Sequence, residues 1–206
     1  MVEFWNSLLT EKSWNRLLEL QKEPFNFIVI GGWAIYLWTK LHKSKDIDIV
    51  LTDIKSLEYL KQKYDLKKNE HFKRYEISMN DFDIDIYVPY FSKLPIPTED
   101  LSKYTTKIEG ISVLKPEALL ILKQATEIER KDSVKGTKDR IDILSILCYA
   151  SFDTKEYFRL IKEYKHKEFG ARLKTILKTF KEYFYLNMNV QEFKKKKKEL
   201  LEQLNC

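Results

Sequence analysis

Four aspartates in two alternating runs are the residues most suited to chemistry. Asp46 and Asp48 alternate with Ile47 and Ile49, and Asp83 and Asp85 alternate with Ile84 and Ile86. In a strand, successive side chains point to opposite faces, so each run presents its carboxylates on one face and its isoleucines on the other. Like charges side by side on neighbouring strands cost up to ~1 kcal/mol per pair, and a divalent cation relieves that cost. Upstream, Gly31-Gly32 stops the apolar run Phe27–Ile30. A glycine turn with free backbone N–H groups suits a polyphosphate. Each piece alone has a plainer reading, a simple turn or a strand showing acids to water. Together they imply nucleotide chemistry, in which two Mg²⁺ ions about 4 Å apart polarise an attacking hydroxyl and steady a leaving pyrophosphate.

These residues need strands and a helix to hold them. Phe27–Ile30 reads as a buried strand, residues 33–41 as a short apolar helix, and the stretch through Asp46 to Val50 as a second strand. Ahead of them, Phe4, Leu8, Leu9, Trp14, Leu17 and Leu18 fall at helical spacing over residues 3–22. Asp53 caps a helix over 54–64, residues 71–79 form a strand, and DFDIDIYV (81–88) follows the turn signal Asn80-Asp81 as the clearest strand. A loop leads to a last short strand at 108–114. Beyond Lys115 the pattern is helical. Pro116 opens a helix to Arg130, Thr137 caps one over 138–150, and amphipathic segments cover 154–167, 169–187 and 189–203. The expected architecture is an α/β domain over residues 1–110, with a mixed sheet and intervening helices, followed by a helical region over 111–206.

The 206 residues are 44% hydrophobic and 33% charged, with few glycines or prolines, an ordinary globular composition. No apolar run reaches the length of a membrane span, and the N-terminal sequence lacks the features of a signal peptide. Cys148 and Cys206 make neither a disulfide framework nor a zinc pattern, so a cytoplasmic protein is expected. The net charge of +6 is uneven: residues 155–199 carry 14 Lys and Arg against 6 Asp and Glu, leaving about −2 for the rest. This asymmetry favours a polyanionic partner; the run Lys194–Lys198 reads as a solvated helix end, with contact to an RNA backbone as the alternative. Trp33 and Trp38 read as core residues of the short helix, with stacking beside a base as the alternative.

A Gly-Gly turn, a helix, an Asp-x-Asp strand and a later strand carboxylate together resemble the signature of the polymerase-β-like nucleotidyltransferase superfamily over residues 25–90. Thirteen residues separate Gly32 from Asp46, as in its minimal members. The stretch 114–147 resembles the helical part of AbiEii-type nucleotidyltransferases, which include MenA-like toxins. Those proteins pair a helix lysine with a Lys-Asp-x-x-Asp helix start, here Lys123 with Lys138, Asp139 and Asp142. The resemblance departs at one point: His42 stands where such proteins often carry arginine ahead of Ser44 and Asp46. Histidine is a weaker and pH-dependent phosphate ligand.

The resemblance implies a metal-dependent enzyme, active in a cleft between its two regions, that moves an NMP from an NTP to a hydroxyl acceptor, with RNA or tRNA favoured. Asp46 and Asp48 would hold Mg²⁺ or Mn²⁺, joined by Asp85, with Asp83 the alternative third carboxylate. Gly31, Gly32, Ser44 and Lys123 would contact the nucleotide. A toxin of this kind implies an antitoxin protein as a further partner. Two other readings stay open: a nucleotide- or RNA-binding module without turnover, and transfer to a protein or small-molecule hydroxyl.

Overall fold

The computed structural model describes residues 7–205, so Phe4 lies outside the described residues. The chain divides after Lys115 into two compact units. No described helix is long and apolar enough to cross a membrane.

The first unit is built on one mixed sheet. Helix α1 (Ser7–Leu20) precedes strand β1 (Phe27–Ile30), helix α2 (Gly31–Thr39) and strand β2 (Ile47–Leu51). Helix α3 (Lys55–Lys63) is followed by β3 (Leu66–Asn69), β4 (Arg74–Ser78), β5 (Asp83–Tyr87), β6 (Thr105–Ile108) and β7 (Ile111–Leu114). The seven strands lie in the order β3-β4-β5-β2-β1-β7-β6. Strand β2 runs antiparallel to β1 and parallel to β5, and β7 runs parallel to β1. The α/β class with a mixed sheet, expected from the alternation of periods, is the class observed.

The core explains the alternation. Ile47 pairs with Ile84 and Ile49 with Ile86, and all four are fully buried. At 25 cal/mol per Å² of apolar area, each such side chain contributes roughly 1.5–3 kcal/mol on burial. A one-residue slip of either strand would expose these isoleucines and bury the aspartates, so the apolar face fixes the register that places the acids. Helix α2 adds Trp33, Ala34, Ile35 and Leu37 to the core. Trp33 is fully buried and its indole N–H donates to Ser13 Oγ at 2.8 Å, while the Trp38 N–H donates to the Leu114 carbonyl at 2.8 Å.

Several boundaries differ from the sequence reading, each for a local reason. Helix α2 begins at Gly31 rather than Trp33, because β1 passes directly into the helix with no intervening turn, and it ends at a left-handed Lys40 (φ 56°). The single strand expected at 71–79 is the second arm of a hairpin, since Leu66–Asn69 pairs with Arg74–Ser78 around a loop in which Asn69 Oδ1 accepts from the Phe72 N–H. The strand expected at 108–114 is two strands, folded where Glu109 (φ 52°) and Gly110 (φ 82°) both adopt positive φ. Two consecutive positive-φ residues make the type I′ turn whose twist matches a hairpin.

The second unit contains α4 (Pro116–Arg130), α5 (Val134–Tyr149), α6 (Thr154–Glu163), α7 (Glu168–Thr179) and α8 (Val190–Gln203). Pro116 opens α4 as expected. Helix α5 starts four residues before the expected Lys138 because Ser133, not Thr137, caps it, its Oγ accepting from the Gly136 N–H at 3.1 Å. A Cβ on Gly136 would lie 2.3 Å from the Arg130 carbonyl oxygen, so glycine permits this tight start. The helix expected over 169–187 stops at Thr179, where Phe180 turns extended and stays buried, and a 3-10 turn follows at Tyr183–Leu186. Asn189 closes a capping box with Glu192 at the head of α8.

Candidate functional site

The parallel pairing of β2 and β5 sets Asp48 directly beside Asp85, and the antiparallel pairing of β4 and β5 sets Glu76 on the other side of Asp85. Three carboxylates therefore occupy one cross-strand row, with Ile30, the last residue of β1, next beyond Asp48. Asp46 lies one step before β2, exposed, and its Oδ1 accepts from the Asp83 backbone N–H at 3.4 Å. The two candidates for third carboxylate differ in surroundings. Asp83 is exposed and accepts from the Ser78 hydroxyl at 2.8 Å. Asp85 is buried, and its Oδ1 has no hydrogen-bond partner.

Arg74 is the counter-charge of this row. Its Nη1 lies 2.8 Å from Asp85 Oδ2, its Nε donates to Glu76 Oε1 at 2.8 Å, and its Nη1 reaches the Tyr87 hydroxyl at 3.5 Å. Asp85 is pushed up to about 8, first by burial and then by the charge of Asp48, with Arg74 opposing the shift. Tyr87 is also raised, by burial and then by the charges of Asp48 and Asp85. The guanidinium does not fully offset the desolvation and repulsion of the row.

The glycines are required by close approach. A Cβ on Gly31 would lie 2.1 Å from Asp48 Oδ2, and Gly31 has φ +63°. A Cβ on Gly32 would lie 2.5 Å from Ser44 Oγ. Only hydrogen at both positions lets the first turn of α2 press against Asp48 and Ser44. Ser44 is buried and its hydroxyl donates to the Asp46 carbonyl at 3.1 Å, which fixes the segment leading into β2. The fold thus brings Gly31, Gly32, Ser44, Asp46, Asp48 and Asp85 together at the end of β1 and the facing stretches of β2 and β5. The N-terminal N–H groups of α2 open at the same place, the end of a helix that favours anions.

The donors are all carboxylate oxygens, the type hard cations such as Mg²⁺ take. A buried carboxylate oxygen without a partner, on a side chain whose pKa is raised by burial and then by its neighbour's charge, fits a position a cation would complete. Among the described residues, no group of three or more His, Cys, Asp or Glu side chains already converges as a metal cage.

Lys123 lies in the second unit. Its Nζ stands 3.1 Å from Asp139 Oδ1 and 2.9 Å from Asp142 Oδ2. Arg130 adds two bonds to Asp139, from Nε at 2.6 Å and Nη2 at 2.9 Å, and holds that carboxyl below its usual range together with Lys123 against the burial that raises it. Because α5 begins at Val134, both aspartates sit past its first turn and are buried. Beside them, Glu127 is buried against Arg140 and Arg172.

Arg74 and Glu76 are absent from the sequence reading. The signal was present in the alternation of β4: with Tyr75 and Ile77 apolar, Arg74, Glu76 and Ser78 share the opposite face. What could not be read was that this face joins that of Asp48 and Asp85.

No curated protein matches the sequence. Solved structures similar in fold include ANT(2'')-Ia in complex with adenylyl-2''-tobramycin, at 13% identity over 79% of this chain and 99% of that chain, TM-score 0.53. Others are JHP933 from Helicobacter pylori, at 16% identity over 97% of this chain and 93% of that chain, TM-score 0.50, and an antigenic nucleotidyltransferase-like protein from Paracoccidioides brasiliensis, at 17% identity, 84% and 94% coverage and TM-score 0.45. At such identities the likeness to ANT(2'')-Ia and JHP933 is one of fold alone. The family described as "Nucleotidyltransferase of unknown function (DUF6036)" matches residues 8–198, nearly the whole sequence, and the chain belongs to that nucleotidyltransferase family.

Proposed function

We propose that the protein transfers an NMP from an NTP to a hydroxyl acceptor, using Asp46, Asp48 and Asp85 as its catalytic carboxylates. The observation that carries this reading is the row in which Asp48 and Asp85 stand side by side with Gly31 against Asp48. A divalent cation held by these three residues, Mg²⁺ or Mn²⁺, would supply the Lewis acidity for the transferred phosphoryl group. Asp85 would hold the cation that activates the acceptor hydroxyl, and its carboxylate assists in taking that hydroxyl's proton. The acceptor oxygen then bonds to the α-phosphorus as the bond to pyrophosphate breaks. The α2 N-terminus at Gly31-Gly32 cradles the triphosphate, and Ser44 holds the strand entry in place.

RNA is the favoured acceptor class, from the basic C-terminal third and the AbiEii-like stretch at 114–147, which also suggests a toxin with a neutralising partner. The ANT(2'')-Ia structure, a complex with adenylyl-2''-tobramycin, keeps a small-molecule acceptor as the comparison class in any assay. A second reading is nucleotide or RNA binding without turnover. The Arg74–Asp85 ion pair favours it, since an arginine on the third carboxylate can stand in for a cation.

Thermal unfolding with each of the four NTPs, with and without Mg²⁺, separates the two. Ligand at ~100-fold above its Kd stabilises by about 2.7 kcal/mol, on the order of 5–10 °C for a chain of this size. Transfer predicts a metal-dependent shift with at least one NTP that Asp48→Asn abolishes, together with release of pyrophosphate on adding RNA. A shift that needs no metal and survives Asp48→Asn would refute transfer and leave the binding reading.

A further inference from the structure

The second unit carries a surface unlike the first. Between Lys12 and Lys103, eight lysines pair with carboxylates. Residues 155–199 contain twelve lysines. None of these twelve forms an ion pair with a carboxylate among the described residues, whereas the two arginines in the same stretch both do. Ammonium groups without carboxylate partners at this density repel one another and raise the local positive potential, which a polyanion relieves.

Aromatic rings lie beside these charges in two grooves. One, of about 1130 Å³, is lined by Phe152 and Phe158 with Lys155 and Lys174, and by Asp153, whose carboxylate caps α6. Both rings are half-buried, and they flank the fully buried Tyr157 at 5.7 and 5.4 Å between centroids. The other, of about 400 Å³, is lined by Tyr149 with Lys195 and Lys196, and by Glu199 and the capping-box residue Glu192. The Tyr149 hydroxyl donates to the Leu186 carbonyl, which holds a ring that remains exposed.

Rings next to such lysines are what a strand of nucleotides with unstacked bases requires: each base stacks on a ring while its phosphates meet the ammonium groups. A duplex offers the phosphates but not the base faces. A lipid surface or an acidic protein would use the charges and leave the grooves idle. We propose that the helical unit binds single-stranded nucleic acid along these two grooves. As a binding surface this is independent of catalysis. As the place that captures an RNA acceptor it rests on the proposed transfer reaction.

The test is fluorescence anisotropy of the full chain, without NTP or metal, on labelled single-stranded RNA, single-stranded DNA and duplex RNA across a salt series. The expected result is tighter binding to single strands than to duplex, weakening steeply with log salt concentration. Lys155→Gln with Lys174→Gln, and separately Lys195→Gln with Lys196→Gln, should each weaken binding and shallow the salt slope by roughly 1–2. Phe152→Leu, which keeps an apolar side chain, should weaken single-strand binding by about 5- to 100-fold with the slope unchanged. Lys107→Gln in the first unit should do neither. The RNA and DNA arms show whether the 2′-hydroxyl is read. Equal affinity for duplex and single strand, indifference to Phe152→Leu, or equal capture by anionic phospholipid vesicles would overturn the proposal. Loss of transfer with binding intact would strike the catalytic reading alone.

Discussion

Replacing Asp85 by asparagine should flatten the pH dependence of stability of the metal-free protein. In an unfolded chain this carboxyl ionises near 3.9; in the fold it is pushed up to about 8 by burial and by Asp48. Between those two values the folded state holds a proton that the unfolded state has released, so stability falls as pH rises, the reverse of the usual salt-bridged aspartate. At about pH 6 the folded carboxyl is mostly neutral and at about pH 8.5 mostly ionised, and linkage puts the loss between them at roughly 2.5 kcal/mol. For a chain of this length that is on the order of 5–10 °C in Tm. The asparagine keeps the size of the side chain but cannot ionise, so this component disappears. Urea or thermal unfolding in chelator, wild type against Asp85→Asn at both pH values, reads it directly. Adding Mg²⁺ at the higher pH should restore the wild type much more than the variant. If the two proteins lose stability in parallel between the two pH values, burial and Asp48 do not leave Asp85 short of compensation.

Gly31→Ala should cost both folding and activity, since its Cβ would meet Asp48 Oδ2 at 2.1 Å and its φ is +63°. A loss of about 1–3 kcal/mol in urea unfolding is expected, and unchanged stability would show that the close approach is not maintained in solution. Gly32→Ala should be destabilising through Ser44 and partly rescued by Ser44→Gly, a coupling that a double-mutant cycle measures. Lys123→Met leaves Asp142 buried without the ammonium 2.9 Å from it and should destabilise by about 3–5 kcal/mol; a variant as stable as wild type would mean that this charge is not held as drawn. Asn189→Ala removes the capping box of α8 and should cost ~1 kcal/mol, seen as a small drop in Tm.

The sequence by itself determined the pieces that follow a period or a local rule. Alternation in Ile47–Leu51 and Asp83–Tyr87 was enough to put acids on one face and isoleucines on the other, because a strand allows only two directions. Pro116 and the apolar spacing after it marked α4, since a proline without an N–H fits only a helix's first turn. Gly31-Gly32 read only as a turn with N–H groups open to phosphate; that side chains there would meet Asp48 and Ser44 came from the fold. Turn chemistry was legible but unread at Glu109-Gly110, where two positive-φ residues split one expected strand into β6 and β7. The partners belonged to the tertiary structure. Which strand lies beside β2 is a matter of sheet order, so only the fold could set Asp85 against Asp48 and bring Glu76 and Arg74, far from Asp48 in sequence, into the same row. Burial of Asp85, and with it the loss of hydration that raises its pKa, is likewise a property of what packs around it. Local sequence fixes directions along one strand; long-range pairing decides which charges become neighbours.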